Sequence, residues 1–323
     1  MKRRHFLQLM GASAAAVCSP GLLAADSKTK FTVYGPPVMP TVLLGVAAQR
    51  GELKNSRPFD VKVWRNVDAL RAGLANGTMQ ASVVPSYVAA NLAARGQDVK
   101  LVNIMSFGLL YVLGRDRALS GIGDLAGKTL ALPFKNDMPD LVLQALCRRL
   151  KIDFSRIRVQ YAATPPEAMM MFMQKRADFA LLPEPMVSMG IIRGRQMGQN
   201  VVRALDVQQE WEKTMKVSGG IPQAGLMVSG AFLKQNGDAV RRLQADLLQA
   251  AAWSKANAAQ AAAIGAKHLG LPEQALAAGL PHARLAATPA KEAAAGIKLF
   301  FRELYQLNPA IVGGKLPADS LFV

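Results

Sequence analysis

Residues 68–85, DALRAGLANGTMQASVVP, and residues 167–184, EAMMMFMQKRADFALLPE, line up at an offset of 99 positions. In each stretch, apolar residues at helical spacing lead into a polar turn, and an apolar run with a proline near its end follows. Each therefore predicts a helix, a tight turn and a buried strand. The recurrence predicts two similar α/β lobes, each a mostly parallel sheet flanked by helices, unless two copies of this common unit match by chance.

The predicted elements on either side of these two stretches continue the alternation. Apolar runs predict strands over 31–34, 59–64, 81–84, 100–105, 128–132, 157–161, 179–182 and 224–228. After residue 230 the chain is rich in alanine, and helical spacing predicts helices over 231–269, 272–279 and 289–307, with a break near Asn236-Gly237. We expect these last helices to brace a sheet, because their apolar positions are interrupted by polar ones.

The composition narrows the class of protein. The 323 residues are 51% apolar, which excludes a disordered chain, and two cysteines exclude a disulfide scaffold. The formal net charge is +17, which first suggests nucleic acid or a membrane surface as a partner. The cations occur as scattered pairs such as Arg148-Arg149 and Arg241-Arg242, without a dense stripe interleaved with aromatic residues. We therefore expect no nucleic-acid partner and only loose association with anionic surfaces.

The N-terminus has the pattern of an export signal. Lys2, Arg3 and Arg4 precede an apolar stretch over 6–17, and small residues predict cleavage near residue 25. The string RRHFL at 3–7 resembles a twin-arginine signal, with an ordinary secretory signal as the alternative. The pattern predicts a periplasmic protein whose mature chain keeps a net charge of +14. No later apolar run is long and charge-free enough to span a bilayer.

Few residues are suited to catalysis or metal binding. His268 and His282 lack a metal-ligand spacing, and phosphate-binding and nucleophile motifs are missing from the sequence. The five residues 169–173, MMMFM, point in several directions on a helix, so they favour a core role over copper binding. Cys147 lies in an apolar helical setting typical of a buried thiol. We therefore expect neither an enzyme nor a cofactor, and no metal.

The loops at the ends of strands are the candidate ligand site. In open α/β sheets such loops bind ligands, and helix N-termini there favour anions. Lys135 would add a positive charge, Ser86 a donor, and Phe107 and Phe134 apolar walls, whereas Glu184 could bind a ligand amine or pair with Lys135. The candidate ligand-binding residues are Gly35, Pro36, Pro37, Thr41, Pro85, Ser86, Tyr87, Ser106, Phe107, Phe134, Lys135, Asn136, Asp137, Glu184 and Gln223.

Several of these motifs together resemble a known family. They are Asp68-Ala69-Leu70 with Asn76-Gly77 before a strand, DLAGKTLA at 124–131, residues 168–176 before a strand that ends at Glu184-Pro185, and Ala224-Gly225. With the export signal, they resemble the periplasmic substrate-binding proteins of ABC transporters, in the nitrate, sulfonate, taurine and thiamine-pyrimidine group. The resemblance extends over nearly all of 30–305.

The resemblance implies a type II fold of two lobes with a ligand cleft between them. The first lobe would comprise 31–110 and 225–323, and the second 115–218. Hinge crossings would fall near 106–114 and 219–228. It also implies that the protein delivers its ligand to a membrane permease and its ATPase.

We therefore expect a monomeric solute-binding protein that captures a small organic anion, such as a sulfonate or carboxylate, by hinge closure. One alternative is a small-molecule enzyme on the same fold, for example a pyrimidine-forming one. The sequence lacks the cysteine cluster and histidines that the resemblance would require for that activity. Another alternative is a ligand-sensing partner of a membrane receptor.

Overall fold

A computed structural model describes residues 30–64 and 67–323, and the predicted export signal at 1–25 lies outside these residues. Helices and strands alternate from the first described residues. The elements up to residue 106 are, in chain order, β1 (Phe31–Gly35), α1 (Met39–Arg50), α2 (Leu53–Ser56), β2 (Phe59–Val63), α3 (Val67–Ala75), β3 (Ala81–Pro85), α4 (Ser86–Ala94), β4 (Val99–Leu101) and β5 (Asn103–Ser106).

The rest of the chain builds a second set of elements and then returns. The second set is β6 (Leu110–Arg115), β7 (Thr129–Pro133), α5 (Met138–Leu150), β8 (Arg158–Ala162), α6 (Pro165–Met173), β9 (Phe179–Pro183), α7 (Met186–Gln196), β10 (Val201–Asp206) and α8 (Val207–Met215). The last elements are β11 (Ala224–Ser229), α9 (Gly230–Ala256), α10 (Ala258–Leu269), α11 (Glu273–Gly279), β12 (Leu285–Pro289) and α12 (Ala294–Leu307). None of the helices in the described ranges combines the length and the apolar character needed to cross a bilayer.

The strands form two separate sheets. Among the described strands, the first sheet has the order β12-β5-β11-β3-β1-β2, with β4 also paired with β11, and the second has the order β10-β6-β9-β7-β8. β1 runs parallel to β2 and β3, and β7 runs parallel to β8 and β9. β6, β10, β11 and β12 run antiparallel to their neighbours. The predicted α/β class with two helix-flanked sheets is confirmed, although each sheet is more mixed than a mostly parallel one.

The chain passes between the sheets twice. It leaves the first sheet after Ser106 and enters the second at Leu110, so all of β6 belongs to the second sheet. It returns between Met215 and Ala224, and the two passages are joined because the N–H of Ile221 donates to the carbonyl of Phe107 at 2.8 Å. Both passages fall within or next to the predicted hinge segments. Their action as a hinge, and the lobe boundaries drawn from them, stay predictions.

One apolar core extends from the first sheet to the second. It includes Leu101 of the first sheet, Phe300 and Phe301 of α12, and Leu146 of α5. The ring of Phe300 meets that of Trp211 on α8 edge to face, with the centroids 5.8 Å apart. α12, which follows the last strand of the first sheet, therefore packs against α5 and α8, which flank the second sheet.

The alanine-rich region is the part where the sequence-based prediction is wrong in detail. The helix predicted over 289–307 begins only at Ala294, because residues 290–293 form a turn and Pro289 is the last residue of β12, which pairs with β5 at the edge of the first sheet. The sequence predicted no element over 285–288, and main-chain pairing with β5 places these residues in the sheet. The predicted break at Asn236 is confirmed, since its φ and ψ are not helical, but a second break occurs at Asn257.

Candidate functional site

The predicted ligand-binding residues lie on two edges of the sheets. In the first sheet, β1 and β3 end side by side, and Ala224 at the start of β11 pairs with Pro85 and with Ser106. The first edge, as we call it, carries Gly35, Pro36, Pro37, Thr41, Pro85, Ser86, Tyr87, Ser106, Phe107 and Gln223. In the second sheet, β7 and β9 end side by side, and this second edge carries Phe134, Lys135, Asn136, Asp137 and Glu184.

The two edges face each other and are in contact. The hydroxyl of Tyr87, at the start of α4, donates a hydrogen bond of 2.5 Å to Oδ1 of Asp137, the residue before α5. A second contact joins Nε2 of Gln223 to Sδ of Met138 at 3.6 Å. The structure therefore brings together residues that the sequence-based prediction assigned to a single cleft between two lobes.

The Tyr87–Asp137 bond lies in a largely dry environment. The side chain of Tyr87 is only 8% exposed. Burial raises the pKa of Tyr87 well above its ordinary value, and the nearby charge and hydrogen bond of Asp137 raise it further. The Tyr87 hydroxyl therefore stays protonated, and its proton lies in the hydrogen bond that joins the two edges. Oδ1 of Asp137 also accepts from the N–H of Met138 at 2.6 Å, so the same carboxylate caps α5.

The three predicted hydroxyl groups of the first edge already have acceptors within the protein. Thr41 donates to the carbonyl of Pro36 at 2.6 Å, Ser86 to that of Pro222 at 2.6 Å, and Ser106 to that of Ala283 at 2.8 Å. All three side chains are fully buried. In this structure the hydroxyls hold the loops of the first edge in place, and their contact with a ligand stays a prediction.

Gln223 connects the first edge to the first passage between the sheets. Its Oε1 accepts from the N–H of Leu109 at 3.0 Å, and its own N–H donates to the carbonyl of Ser106 at 2.9 Å. The side chain is 3% exposed. Gln223 therefore fixes the position of the passage relative to the edge, which is a structural role that the sequence alone did not indicate.

The helix N-termini at the two edges differ in how they are capped. α1 and α4, which follow β1 and β3, have Val38 and Pro85 at their N-caps and no capping side chain. The helices of the second edge have carboxylates there: Asp137 caps α5, Glu184 accepts from the N–H of Ser188 in α7, and Asp206 caps α8. First-turn N–H groups have no acceptor inside their own helix. Positive N-termini without a side-chain cap therefore occur on the first edge.

Lys135 lies in the exposed loop between β7 and α5. Both of its neighbours, Phe134 and Asn136, have positive φ, and the Phe134 side chain is 40% exposed. The ammonium nitrogen of Lys135 lies 5.3 Å from the centre of the Tyr161 ring, a cation–π contact. No carboxylate among the described residues forms an ion pair with Lys135. Its charge is therefore not neutralised at the second edge.

Glu184 pairs with Arg203, so the expectation that it could pair with Lys135 is wrong. Its side chain is fully buried, and Oε1 accepts from Nε of Arg203 at 2.9 Å and from Nη2. Nη2 of Arg203 also donates to Oγ of Ser188 at 2.7 Å. The pairing follows from the fold: β6 lies between β10 and β9, and the Arg203 side chain crosses the Tyr111 ring of β6 to reach Glu184. Contact of Glu184 with a ligand amine stays a prediction.

Two arginines at this junction were missed by sequence reasoning. Arg203 interrupts an apolar strand. A charged side chain in such a run needs a buried partner, so its position in the sequence is a signal that could have revealed this residue. Arg284 forms ion pairs with Glu212 at 3.0 Å and with Asp206 at 3.5 Å, and its carbonyl accepts from the N–H of Phe107. No local pattern marks Arg284, because all of its partners are distant in the chain.

Cys147 and the methionines of 169–173, which were considered above for catalysis or metal binding, have mainly packing roles. Cys147 is 1% exposed, and burial raises the pKa of its thiol to about 12, so it stays protonated at neutral pH. In α6, Met169, Met171 and Met173 are buried while Met170 is 42% exposed, which confirms the core role predicted for this run. Among the described residues, no group of three or more His, Cys, Asp or Glu side chains is placed to hold a metal.

No family model and no curated protein matches the chain. Solved structures do match it. A structure described as an ABC transporter from Parabacteroides distasonis is 19% identical, with a TM-score of 0.77, and the match covers 92% of this chain and 99% of that one. The periplasmic aliphatic sulphonate binding protein SsuA from Escherichia coli is 18% identical, with a TM-score of 0.68 and coverage of 88% and 95%.

An enzyme shares the same fold. The desulfurization enzyme DszB is 14% identical, with a TM-score of 0.58, over 86% of this chain and 92% of that one. At identities this low, all three likenesses show the fold. The resemblance drawn from the sequence is thus confirmed at the level of the fold: two α/β sheets flanked by helices, as in type II periplasmic binding proteins.

Proposed function

We propose that this chain is the solute-binding component of an ABC importer and that it captures a small organic anion between the two edges. The fold supports this function, since it is shared with a sulphonate-binding protein and with an ABC transporter component. A sulfonate or a carboxylate is the class of ligand that we favour. The lobes would close over it, with the two passages near Phe107 and Ile221 acting as the hinge.

The observation that carries the proposal is the pair of N-termini without side-chain caps on the first edge. β1 and β3 are adjacent and parallel, with Tyr34 opposite Ser82, so α1 and α4 begin on the same edge. Thr41 and Ser86 already donate their N–H groups to carbonyls, and Pro40 has no N–H. The remaining first-turn N–H groups and the helix dipoles favour a negative group. The second edge offers no equivalent, since carboxylates already occupy the starts of α5, α7 and α8.

Closure would bring groups of the second edge to the anion. Lys135 supplies a charge that no described carboxylate neutralises. Tyr87 and Asp137 join the edges, so closure places the ligand in a largely dry space. Electrostatic attraction is stronger there than in water. The affinity would then depend on the equilibrium between open and closed forms as well as on the contacts.

The proposed role includes export and a membrane partner. The sequence pattern at 1–25 supports a periplasmic location, although this segment lies outside the described residues. A permease and its ATPase would receive the ligand from a monomeric binding protein.

A second candidate function is an enzyme, because DszB shares the fold. Turnover of a bound compound would favour the enzyme over the importer. A sensor that presents its ligand-bound form to a receptor would bind without turnover and without uptake.

The experiment has two stages. Mass spectrometry of compounds that co-purify with the protein, together with thermal-shift screening of sulfonates, carboxylates, cations and neutral sugars, identifies the ligand class. We expect an anion to raise Tm, because a ligand that binds only the folded state stabilises it. Stabilisation by neutral or cationic compounds alone would contradict the proposal.

The second stage tests the location of the anion. In Val38→Asp, the new carboxylate adds a negative charge at the start of α1, where we expect it to exclude the anion. Val38→Asn is the matched control, because its side chain has nearly the same size without the charge. The proposal requires the aspartate variant to bind the anion much more weakly than the asparagine variant. Equal affinities would place the anion elsewhere.

A further inference from the structure

A cluster of cations lies at the end of the second sheet that is opposite the candidate site. β6 runs antiparallel to β9 and to β10, so Arg115 at its end lies beside Val201 at the start of β10. The N–H of Asp116 donates to the carbonyl of Asn200 at 3.0 Å, and Nη1 of Arg115 donates to that of Ala177 at 3.3 Å. Segments 115–117, 170–178 and 193–200 therefore meet on one surface.

This surface is basic. The three segments contain six arginines and lysines but only two carboxylates, Asp116 and Asp178. One oxygen of Asp178 is taken by the N–H of Thr129 at 2.8 Å. The exposed cations of the surface are Arg117, Lys175, Arg176, Arg193 and Arg195. None of them forms an ion pair with a described residue, so no described carboxylate neutralises their charges. Arg117 contacts a ring, with its guanidinium 5.9 Å from the centre of Phe179.

Two exposed methionines lie among these cations. Met170 on α6 is 42% exposed and Met197, just after α7, is 55% exposed, which makes them two of the most exposed large apolar side chains in the described chain. Nη1 of Arg193 lies 3.9 Å from Sδ of Met170, so the apolar and basic groups form one surface. Methionine is flexible and apolar, and it adapts to irregular partners.

Unpaired arginines and lysines around flexible apolar side chains suit a fluid anionic partner. Anionic headgroups attract such cations, and apolar side chains insert at the boundary with the acyl chains. An acidic protein would need a fixed geometry to match these long side chains, whereas lipid headgroups rearrange around them. The surface also lies away from Tyr87 and Asp137, so docking would leave the candidate cleft uncovered.

We propose that this basic pole, formed by Arg117, Lys175, Arg176, Arg193 and Arg195 with Met170 and Met197, docks on anionic phospholipid bilayers. The inference does not depend on the proposed function, because it rests on a surface remote from the ligand site.

Co-sedimentation of the full chain with phospholipid vesicles tests the proposal. Vesicles of phosphatidylcholine mixed with phosphatidylglycerol are compared with vesicles of phosphatidylcholine alone. The neutral vesicles report binding by the apolar part of the N-terminal segment, and its cations Lys2, Arg3 and Arg4 are the same in the test and control variants. The test variant carries Lys175→Gln, Arg193→Gln and Arg195→Gln, and the matched control carries Arg95→Gln, Lys234→Gln and Arg302→Gln. All six residues are exposed, and both variants lose the same net charge.

We expect binding to the anionic vesicles that weakens with salt. Each cation removed from the pole should weaken it about fivefold, so the test variant should lose about a hundredfold and the control much less. Thermal unfolding checks that both variants stay folded. Equal losses in the two variants would overturn the proposal, because net charge would then explain the binding. Binding to polyglutamate without binding to anionic vesicles would also overturn it and would assign the pole to an acidic protein.

Discussion

The hydroxyl of Tyr87 and the carboxylate of Asp137 form a 2.5 Å hydrogen bond that joins α4, beside the first sheet, to the start of α5, beside the second. The two residues are 50 positions apart in the chain, and each lies at the end of a different sheet. The bond exists only when the two edges meet. If the lobes close as we propose, its loss should report their opening.

Replacement of Tyr87 by Phe should shift the protein toward an open form. A hydrogen bond to a charged acceptor contributes about 1.5–3 kcal/mol, so its loss should change the open-to-closed ratio tenfold or more. Small-angle X-ray scattering of the ligand-free protein should show a larger radius of gyration. Tyr305→Phe is the control, since no hydrogen bond of its hydroxyl occurs among the described residues. Identical scattering from both variants would show that the bond does not hold the edges together.

Gly220→Ala should destabilise the junction of the two passages between the sheets. Gly219 and Gly220 both have positive φ, of 97° and 80°, so alanine is strained at either position. A Cβ at Gly220 would lie 2.1 Å from the carbonyl oxygen of Phe107, whereas a Cβ at Gly219 would meet nothing within 4 Å. Gly219→Ala should therefore cost about 1 kcal/mol, from strain alone. Urea unfolding should show a larger loss for Gly220→Ala, and equal losses would mean that the close approach carries no energy.

Glu303 should make the stability of the fold depend on pH in the acid range. Its side chain is fully buried on α12, where it accepts from Arg148 at 2.6 Å and from Arg149, both on α5. Burial raises the pKa of Glu303, but hydrogen bonds from Arg149 and Arg148 outweigh this effect and leave the pKa below its ordinary value. The ionised form therefore stabilises the fold at neutral pH, and this contribution is lost as the pH falls through the lowered pKa.

The Tm of Glu303→Gln should consequently fall less steeply on acidification than that of the native chain. At neutral pH the variant should already be less stable, because the two arginines lose their buried partner. The exposed Glu292→Gln is the control and should follow the native curve. Parallel curves for Glu303→Gln and the native chain would rule out this role of the ion pairs.

Lys135→Ala should weaken binding of the anionic ligand. A charge-assisted hydrogen bond from an ammonium group contributes about 1.5–3 kcal/mol, so Kd should rise roughly tenfold to a hundredfold in isothermal titration calorimetry. Lys234→Ala, an exposed lysine on α9, is the matched control. Unchanged affinity in Lys135→Ala would remove this residue from the site while leaving the helix N-termini of the first edge as the binding groups.

Much of the architecture could be predicted from local patterns. Alternating apolar runs and helical spacing indicated β1, β3, β7 and β9 and the helices α3 and α6 that precede β3 and β9, because burial of one face leaves a periodic signature. Since loops after parallel strands gather at one edge, the predicted site residues were expected to lie together, and the structure places them on two facing edges. β12 was missed, because its alanine-rich sequence has no strand signature of its own.

The sequence by itself determined which residues stand at the ends of β1, β3, β7 and β9, since the apolar runs of these strands are marked by their neighbours along the chain. The tertiary structure decided what those residues contact. Glu184 faces Arg203 instead of Lys135, and Ser86 donates to a carbonyl 136 positions away. Such partners are set by how the sheets pack and where the chain passes between them, and distant packing of this kind leaves no local periodicity to read. For the same reason, only the folded chain shows that Tyr87 reaches across to Asp137.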